Sequence, residues 1–299
     1  MVKFESPPLS IGIVEIETGI PKETLRKWEE RYGFPNPERD AFGERQYTPG
    51  DVERLQVIKA LLNTGLRPSK VVALPPEELI SLKICRTSAQ PKDYPEEIHA
   101  VLDHLRANDA DGIQSVLRQM LVRQGLSDFV VQTVSALNTA IGEAWERATL
   151  TVFQEHLYTE IIRNFVVHAI DLASLPKTSR SVLLTTPPGE QHSLGLLMAQ
   201  SLFALAGYRC HSLGTQTPVN EIVEAANAFG VQRVGISLSI TFPRKLAILV
   251  VDELRSSLPK DIDLWVGGAG AVHLRKKMPG VRTFESIAEL RKAILHDNQ

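Results

Sequence analysis

The sequence predicts a multidomain α and α/β protein: a helix-turn-helix head, a helical bundle and a C-terminal parallel-sheet domain. Three observations predict it. Residues 1 to about 85 are charged, and their short helical patterns are broken by proline and glycine. No proline occurs between Pro95 and Pro176, where apolar residues recur at three- and four-residue spacing. From residue 177 onward, apolar runs at 182–186, 209–213, 234–238 and 264–266 alternate with helical stretches, the pattern of parallel strands with crossover helices. The boundaries fall at 1–85, 86–176 and 177–299, with the polar stretch 87–95 (TSAQPKDYP) as a linker.

Composition narrows the class. A length of 299 residues suits two or three domains. At 43% hydrophobic and 23% charged, the chain is neither disordered nor fibrous. No run approaches the roughly 18 apolar residues of a membrane span, and the start MVKFESPPLS lacks the apolar core of a secretory signal. Cys85 and Cys210, the two cysteines, form neither a metal-ligand pattern nor a disulfide framework, so a reducing cytoplasm is expected. The net charge of −2 shows no strongly basic nucleic-acid binder, but a small DNA-reading module fits inside a neutral chain.

In the head, 10–17 carries a short helix pattern. Thr18-Gly19-Ile20 turns, and Pro21 opens a second helix over 22–32 as its first residue. Two short helices joined by a glycine-containing turn make a helix-turn-helix. Lys22, Arg26 and Lys27 cluster in the N-terminal half of the second helix, the end that enters a major groove. A polar loop with Arg39, Gly43 and Arg45 runs to Tyr47, and Thr48-Pro49-Gly50-Asp51 caps a third helix over 52–63. Residues 21–47 hold six basic and six acidic side chains, so charge alone does not separate a DNA-reading face from a solvated bundle. The order of features does. The run TGIPKETLRKWEERYGFPNPERDAFGERQYTPGDVERL, within residues 11–70, resembles the winged helix-turn-helix domain of the MerR regulator family. The resemblance implies a recognition helix around 22–31, with Lys22, Arg26, Lys27 and Arg31 facing double-stranded operator DNA. It also implies a wing over 36–47 that carries Arg39, and phosphate contacts from Arg45 and Tyr47.

The middle segment, 96–175, reads as a four-helix bundle. It holds Trp145, nine intervening residues and then Glu155-His156. Trp145 alone reads as a core residue. A Glu-His pair against apolar helices fits a plain core less well, because a buried carboxylate is costly unless it is paired.

In the last segment, the first strand runs into Pro187-Pro188-Gly189-Glu190-Gln191-His192-Ser193-Leu194-Gly195 before a helix over 196–206. Loops at the carboxyl ends of parallel strands line the ligand crevice of such a sheet. A histidine there can reach a metal, and a carboxylate two residues earlier can hold its other ring nitrogen. Gly195 permits close backbone approach. Taken alone, a loop histidine is more often solvated than ligating. The pattern Glu190-x-His192-x-x-Gly195, then Ser237 after the third strand and Gly267-Gly268 after the fourth, is more specific. It resembles the cobalamin-binding domain shared by methionine synthase, some mutases and certain regulators. The resemblance implies a Rossmann-like parallel-sheet cobalamin-binding domain. His192 would be the lower cobalt ligand, and the cofactor's nucleotide tail would run past Ser237, Ser239, Gly267 and Gly268. Two positions depart from the pattern: Glu190 stands where Asp is commoner, and Ser239 where Leu is usual.

The spacing in the bundle then resembles the helical cap of the CarH group of cobalamin-dependent regulators. That resemblance implies that Trp145, Val152 and Glu155, with His156 beside them, line the pocket for the adenosyl group of adenosylcobalamin. Three modules in the same order imply a DNA-binding transcriptional repressor. It would sense adenosylcobalamin and light through a homo-oligomer, a dimer or a tetramer, whose state depends on both. No residues are left over for a catalytic domain, so an enzyme is not expected. Glu146 stands where the light-sensing members carry a histidine after the tryptophan. A carboxylate matches Co(III) less well than imidazole, so the photochemical endpoint stays open. The alternative is a MerR-type regulator with a degenerate sensor, controlled by a partner protein or another tetrapyrrole.

Overall fold

The computed structural model describes residues 8–63, 66–86, 94–147, 149–172, 180–274 and 278–297. Most of the linker expected at 87–95 lies outside the described residues, as does the end of the bundle segment at 173–176. One compact unit is built on Met1–Asp93. The other takes in Tyr94–Trp145 and Leu150–Gln299.

In the N-terminal unit, α1 (Ile11–Thr18) and α2 (Lys22–Tyr32) are joined by a turn at Gly19, whose φ of 61° is the left-handed conformation glycine takes freely. Thr18 Oγ1 donates to the Val14 carbonyl (2.7 Å) and accepts from the Ile20 amide (3.2 Å), so the buried turn keeps its polar groups paired. Pro21 takes the N-cap position of α2 rather than the first helical one, a one-residue correction. The short strands β1 (Leu9–Ser10), β2 (Glu38–Arg39) and β3 (Arg45–Tyr47) pair antiparallel in the order β1-β3-β2 and form the wing. Thr48 and Asp51 cap each other: Thr48 Oγ1 accepts from the Asp51 amide (3.1 Å), and Asp51 Oδ2 from the Thr48 amide (2.9 Å). This capping box, with Asp in place of the usual Glu, opens α3 (Pro49–Asn63) three residues earlier than expected. The short α4 (Pro68–Val71) and α5 (Pro76–Arg86) complete the unit. The core gathers Val14, Leu25, Leu55, Ile58 and Val71, each burial worth about 1.5–3 kcal/mol.

The second unit begins with the four expected helices, α6 (Glu96–Arg106), α7 (Ala110–Asp128), α8 (Ser135–Glu146) and α9 (Val152–Leu172). The bundle is less regular than the sequence pattern suggests. Gly125 breaks α7 at φ 73° and ψ 161°, and Phe129–Val134 winds as a π-helical stretch. Only glycine adopts that φ, ψ pair readily.

A parallel sheet follows: β4 (Ser181–Thr185), β5 (Arg209–Gly214), β6 (Arg233–Ser237), β7 (Asp263–Gly267) and β8 (Val281–Phe284), in the order β5-β4-β6-β7-β8. The helices α10 (Leu194–Leu205), α11 (Val219–Phe229), α12 (Arg244–Ser257) and α13 (Ile287–His296) cover its two faces. β4 is buried along its whole length, as a central parallel strand demands. The strand order reverses between β4 and β6, so the loops leaving those two strands part at a topological switch point, where ligands of such sheets bind.

Bundle and sheet share a core. Met198 of α10 is buried among bundle residues. Asn138 of α8 donates to Met198 Sδ (3.6 Å) and accepts from the Tyr158 hydroxyl (2.7 Å). Among the described residues, no helix is long and apolar enough to cross a membrane.

Candidate functional site

Three of the cations expected to face DNA, Lys22, Arg26 and Arg45, are oriented by carboxylates of their own unit. Lys22 Nζ lies 3.4 Å from Glu15 of α1, Arg26 pairs with Glu23 one turn back, and Lys27 is exposed. Arg31 lies 5.4 Å above the Tyr32 ring. Arg45 donates to Glu29 at 2.7 Å and ties β3 to α2. The more exposed pairs, Lys22–Glu15 and Arg26–Glu23, are worth at most about 1 kcal/mol, so phosphates can replace those carboxylates, whereas the Arg45–Glu29 pair is part-buried. Arg39 spends one donor on the Gly43 carbonyl (2.8 Å). Tyr47 is placed differently from expectation. Its side chain is fully buried, its hydroxyl has no partner, and burial pushes the phenol pKa up. In this structure Tyr47 is a core residue of the unit, because β3 turns it inward against α1.

In the second unit, the loop leaving β4 carries Glu190, which is 1% exposed. Its Oε1 accepts from the His192 amide (3.0 Å) and from His192 Nδ1 (2.6 Å). Its Oε2 accepts from the Ser239 amide and hydroxyl, both at 2.7 Å, in the loop leaving β6. One carboxylate thus joins both loops at the switch point. Burial raises its pKa, but the hydrogen bonds from His192 and Ser239 outweigh that, and the net shift is downward. With Nδ1–H committed to Glu190, the imidazole's Nε2 carries the free lone pair, while the side chain is 65% exposed. The Glu190 hydrogen bond raises the His192 pKa, burial opposes it, and the Glu155 charge adds to the rise.

Glu155 stands in the first turn of α9. Glu155 accepts from Thr159 Oγ1 at 2.9 Å, and His156 Nε2 lies 3.5 Å from Glu155 Oε2 with its ring mostly in solvent. Trp145 is the penultimate residue of α8, partly buried, and Val152 starts α9, exposed. Glu146 closes α8, but its side chain lies outside the described ones.

The glycines bracket the same region. A Cβ on Gly195 would stand 2.9 Å from Ser237 Oγ, so the start of α10 sits on the end of β6. A Cβ on Gly268, which has φ +97°, would stand 2.3 Å from the Leu238 carbonyl. Gly268 and Gly270, whose Cβ would stand 2.3 Å from the Ser239 carbonyl, therefore let the chain leaving β7 lie flat on the loop leaving β6, whereas a Cβ on Gly267 would meet only the Phe284 carbonyl at 4.0 Å. An imidazole whose Nδ1 is held by a carboxylate and whose Nε2 is free fits the lower ligand of a corrinoid, and Val152, Phe153 and Ile240 are exposed apolar side chains on the elements around it.

Comparison with known proteins agrees with this geometry. The family described as "MerR HTH family regulatory protein" matches residues 9–74. Two matches described as "B12 binding domain" cover residues 97–169 and 180–284. The HTH-type transcriptional repressor CarH of Myxococcus xanthus is 30% identical over 266 residues, 87% of this chain and 89% of that protein. The chain belongs to the CarH family of MerR-type transcriptional regulators. The repressor CarA of the same organism is 29% identical over 290 residues, 94% of each chain. The structure of the Methanosarcina barkeri monomethylamine corrinoid protein superposes with a TM-score of 0.54 at 18% identity, covering 66% of this chain and 96% of that one. That likeness shows the fold alone.

Three features of the regulator are not visible in its motifs. Phe42 stands out at the tip of the wing. Phe153 and Ile240 flank residues that the motifs do pick out, and only their exposure reveals them. The two departures from the cobalamin pattern bond to each other, since Glu190 Oε2 accepts both donors of Ser239.

Proposed function

We propose that the regulator is a repressor that binds double-stranded operator DNA through its winged head and senses adenosylcobalamin between bundle and sheet. The observation that carries this reading is the Glu190–His192 pair, in which the carboxylate holds Nδ1 and leaves Nε2 free as a ligand. When bound, adenosylcobalamin supplies a cobalt–carbon bond that light can cleave. His192 would hold cobalt from below, with Glu190 fixing its tautomer. Ser237, Ser239, Gly195, Gly267 and Gly268 would border the nucleotide tail, and Trp145, Val152, Glu155 and His156 the adenosyl group. Lys22, Arg26, Lys27, Arg31, Arg39 and Arg45 would meet the DNA.

The functional modules in this reading are 1–85, 86–176 and 177–299, in a cytoplasmic homo-oligomer. Cofactor that prefers one assembly state, dimer or tetramer, shifts the chain toward it, and light cleavage removes the preference. Reconstitution with adenosylcobalamin tests the reading, with an absorption spectrum and a gel-filtration profile in the dark and after green light. A cofactor-loaded chain whose spectrum shifts in His192→Ala supports it. A spectrum unchanged by that substitution refutes ligation by His192. An elution volume unchanged by light refutes the light switch alone.

A further inference from the structure

The first turn of α9 holds one residue that faces inward. Val152 and Phe153 are exposed, Glu155 is half-buried and His156 is mostly in solvent, whereas Gln154 is 8% exposed. Its amide is divided between two helix ends. Oε1 accepts from the Thr151 amide and the Thr151 hydroxyl, both at 3.0 Å. The Glu155 amide donates to the Thr151 carbonyl at 3.1 Å, so Gln154 caps the start of its own helix from the third helical position. Nε2 donates the other way, to the carbonyls of Leu105 (3.2 Å) and Arg106 (3.3 Å) and to Asn108 Oδ1 (3.1 Å). Leu105 and Arg106 close α6, and a helix end leaves such carbonyls without an intrahelical partner. Asn108, at φ 57°, turns the chain immediately beyond.

The two halves of the amide meet opposite demands, and neither a carboxylate nor a thioether of the same reach meets both. A carboxylate accepts from Thr151 but sets an oxygen against three acceptors at the end of α6. A thioether leaves polar groups unpaired on both sides of a buried contact, which is costly. Leu105 and Leu150 are packed in the bundle core on either side of this contact, so the groups cannot simply turn to water. The amide therefore fixes the first turn of α9 in distance and rotation against the end of α6. Glu155, the next residue in that turn, is held in its place by the Thr159 hydroxyl at 2.9 Å.

We infer that Gln154 is a positioning residue for the upper face of the cofactor site. By pinning the start of α9 to the end of α6 it sets where Val152, Glu155 and His156 stand, and so sets the preference for an adenosyl over a smaller upper group on cobalt. This rests on the reading of those three residues as the border of the adenosyl group, and it adds the residue that holds the border without touching the cofactor. The hydrogen bonds of Gln154 go to bundle residues, whereas Glu190 and His192 are held within the loops of the sheet. Replacing Gln154 therefore leaves the lower ligand as it is. A methyl group is too small to need the border, so methylcobalamin reports the lower face alone.

The test titrates the full-length chain in the dark with adenosylcobalamin and with methylcobalamin, followed by absorption. Amide hydrogen exchange of the cofactor-free chain is mapped over α6 and α9. Gln154→Glu, Gln154→Met and Asn108→Gly are compared with the parent. Asn108→Gly keeps the left-handed backbone and removes a single acceptor, so it reports even where the larger changes unfold the chain. All three are expected to exchange faster at the start of α9 and the end of α6. Adenosylcobalamin affinity falls about tenfold in both Gln154 variants, and less in Asn108→Gly, as the competent turn becomes the minor form. Methylcobalamin affinity and the His192-dependent spectrum stay at the parent values. A parent-like preference in the variants overturns the inference, whether or not exchange is faster. So does an equal fall for both cobalamins, which would make Gln154 a plain stabiliser of the fold. Failure of the underlying reading is seen in the parent alone: a parent without preference for adenosylcobalamin refutes that pocket, and the role of Gln154 in it falls as well.

Discussion

Glu190→Gln isolates the group that joins the two loops at the switch point. The amide keeps the size of the carboxylate but replaces one acceptor oxygen with a donor. Four donors converge on Glu190: the His192 amide and Nδ1, and the Ser239 amide and hydroxyl. If the new NH2 faces Ser239, the hydroxyl can turn to accept, but the Ser239 amide is left unpaired. If it faces His192, the imidazole can move its proton to Nε2, but the His192 amide is left unpaired. Either orientation strands one buried backbone N–H, at about 1–3 kcal/mol, and weakens the remaining bonds from charge-assisted to neutral. Removing the charge recovers desolvation energy, yet the downward pKa of Glu190 shows that the folded site favours the ionised form overall. The expected net loss is about 2 kcal/mol, a melting temperature roughly 4–8 °C lower for a unit of this size. Cobalamin affinity should fall about 10–100-fold, the usual cost of losing the group that orients a metal-binding histidine. The assays are thermal unfolding of the cofactor-free chain and a spectroscopic cobalamin titration.

The pH dependence sharpens this prediction. The lowered pKa of Glu190 stabilises the fold above its unfolded value, and that gain fades as pH falls through the folded one. The raised pKa of His192 stabilises below its unfolded value, and that gain fades as pH rises through the folded one. The gap between parent and Glu190→Gln is therefore widest between the ordinary carboxyl and imidazole values and narrows on both sides. A Gln variant within about 0.5 kcal/mol of the parent, with unchanged cobalamin affinity, would refute the reasoning.

Gly268→Ala forces a side chain into the left-handed region and against the Leu238 carbonyl, so urea unfolding should show a loss of at least about 2 kcal/mol. Normal stability with lost cobalamin binding would instead make Gly268 a ligand contact alone. Tyr47→Phe removes an unpaired buried hydroxyl, so stability should hold or rise by up to about 1 kcal/mol while DNA affinity and its salt slope stay put. A reduced slope would restore Tyr47 to the phosphate contacts. Lys27→Ala should weaken binding to all duplexes alike and lower the salt slope by about one, read by anisotropy across a salt series.

Much of this was legible because local chemistry and fold agree. The α2 boundaries follow from Thr18-Gly19 and Gly33, which only tolerate turns there. β4 and β6 read as strands because their residues are apolar without alternation. The Glu190–His192 pairing is legible because only Gln191 lies between them, so the carboxylate is within reach of the ring in any loop conformation that turns both the same way. β8 was not legible: two of its four residues, Arg282 and Thr283, are exposed at the sheet edge, and four residues carry too little pattern. The break at Gly125 hid inside an unbroken helical periodicity. The burial of Tyr47 depends on which face of a three-residue strand meets the core, and the exposure of Phe42 on the turn between two short strands, neither of which spacing encodes. Ser239 appeared as a departure because its partner in the loop leaving β4, 49 residues earlier, is set by strand order.

The single carboxylate shared by the loops leaving β4 and β6 also bears on how fast a ligand is captured. The two loops are held in register by the chain's own donors, so no loop has to order itself during encounter. Association at the lower face should then follow one second-order step, with an observed rate that climbs linearly with cobalamin and never saturates. Variants of Ser239 or Glu190 that untie the loops would introduce a plateau. Variants that only trim contacts would show their effect in the dissociation rate.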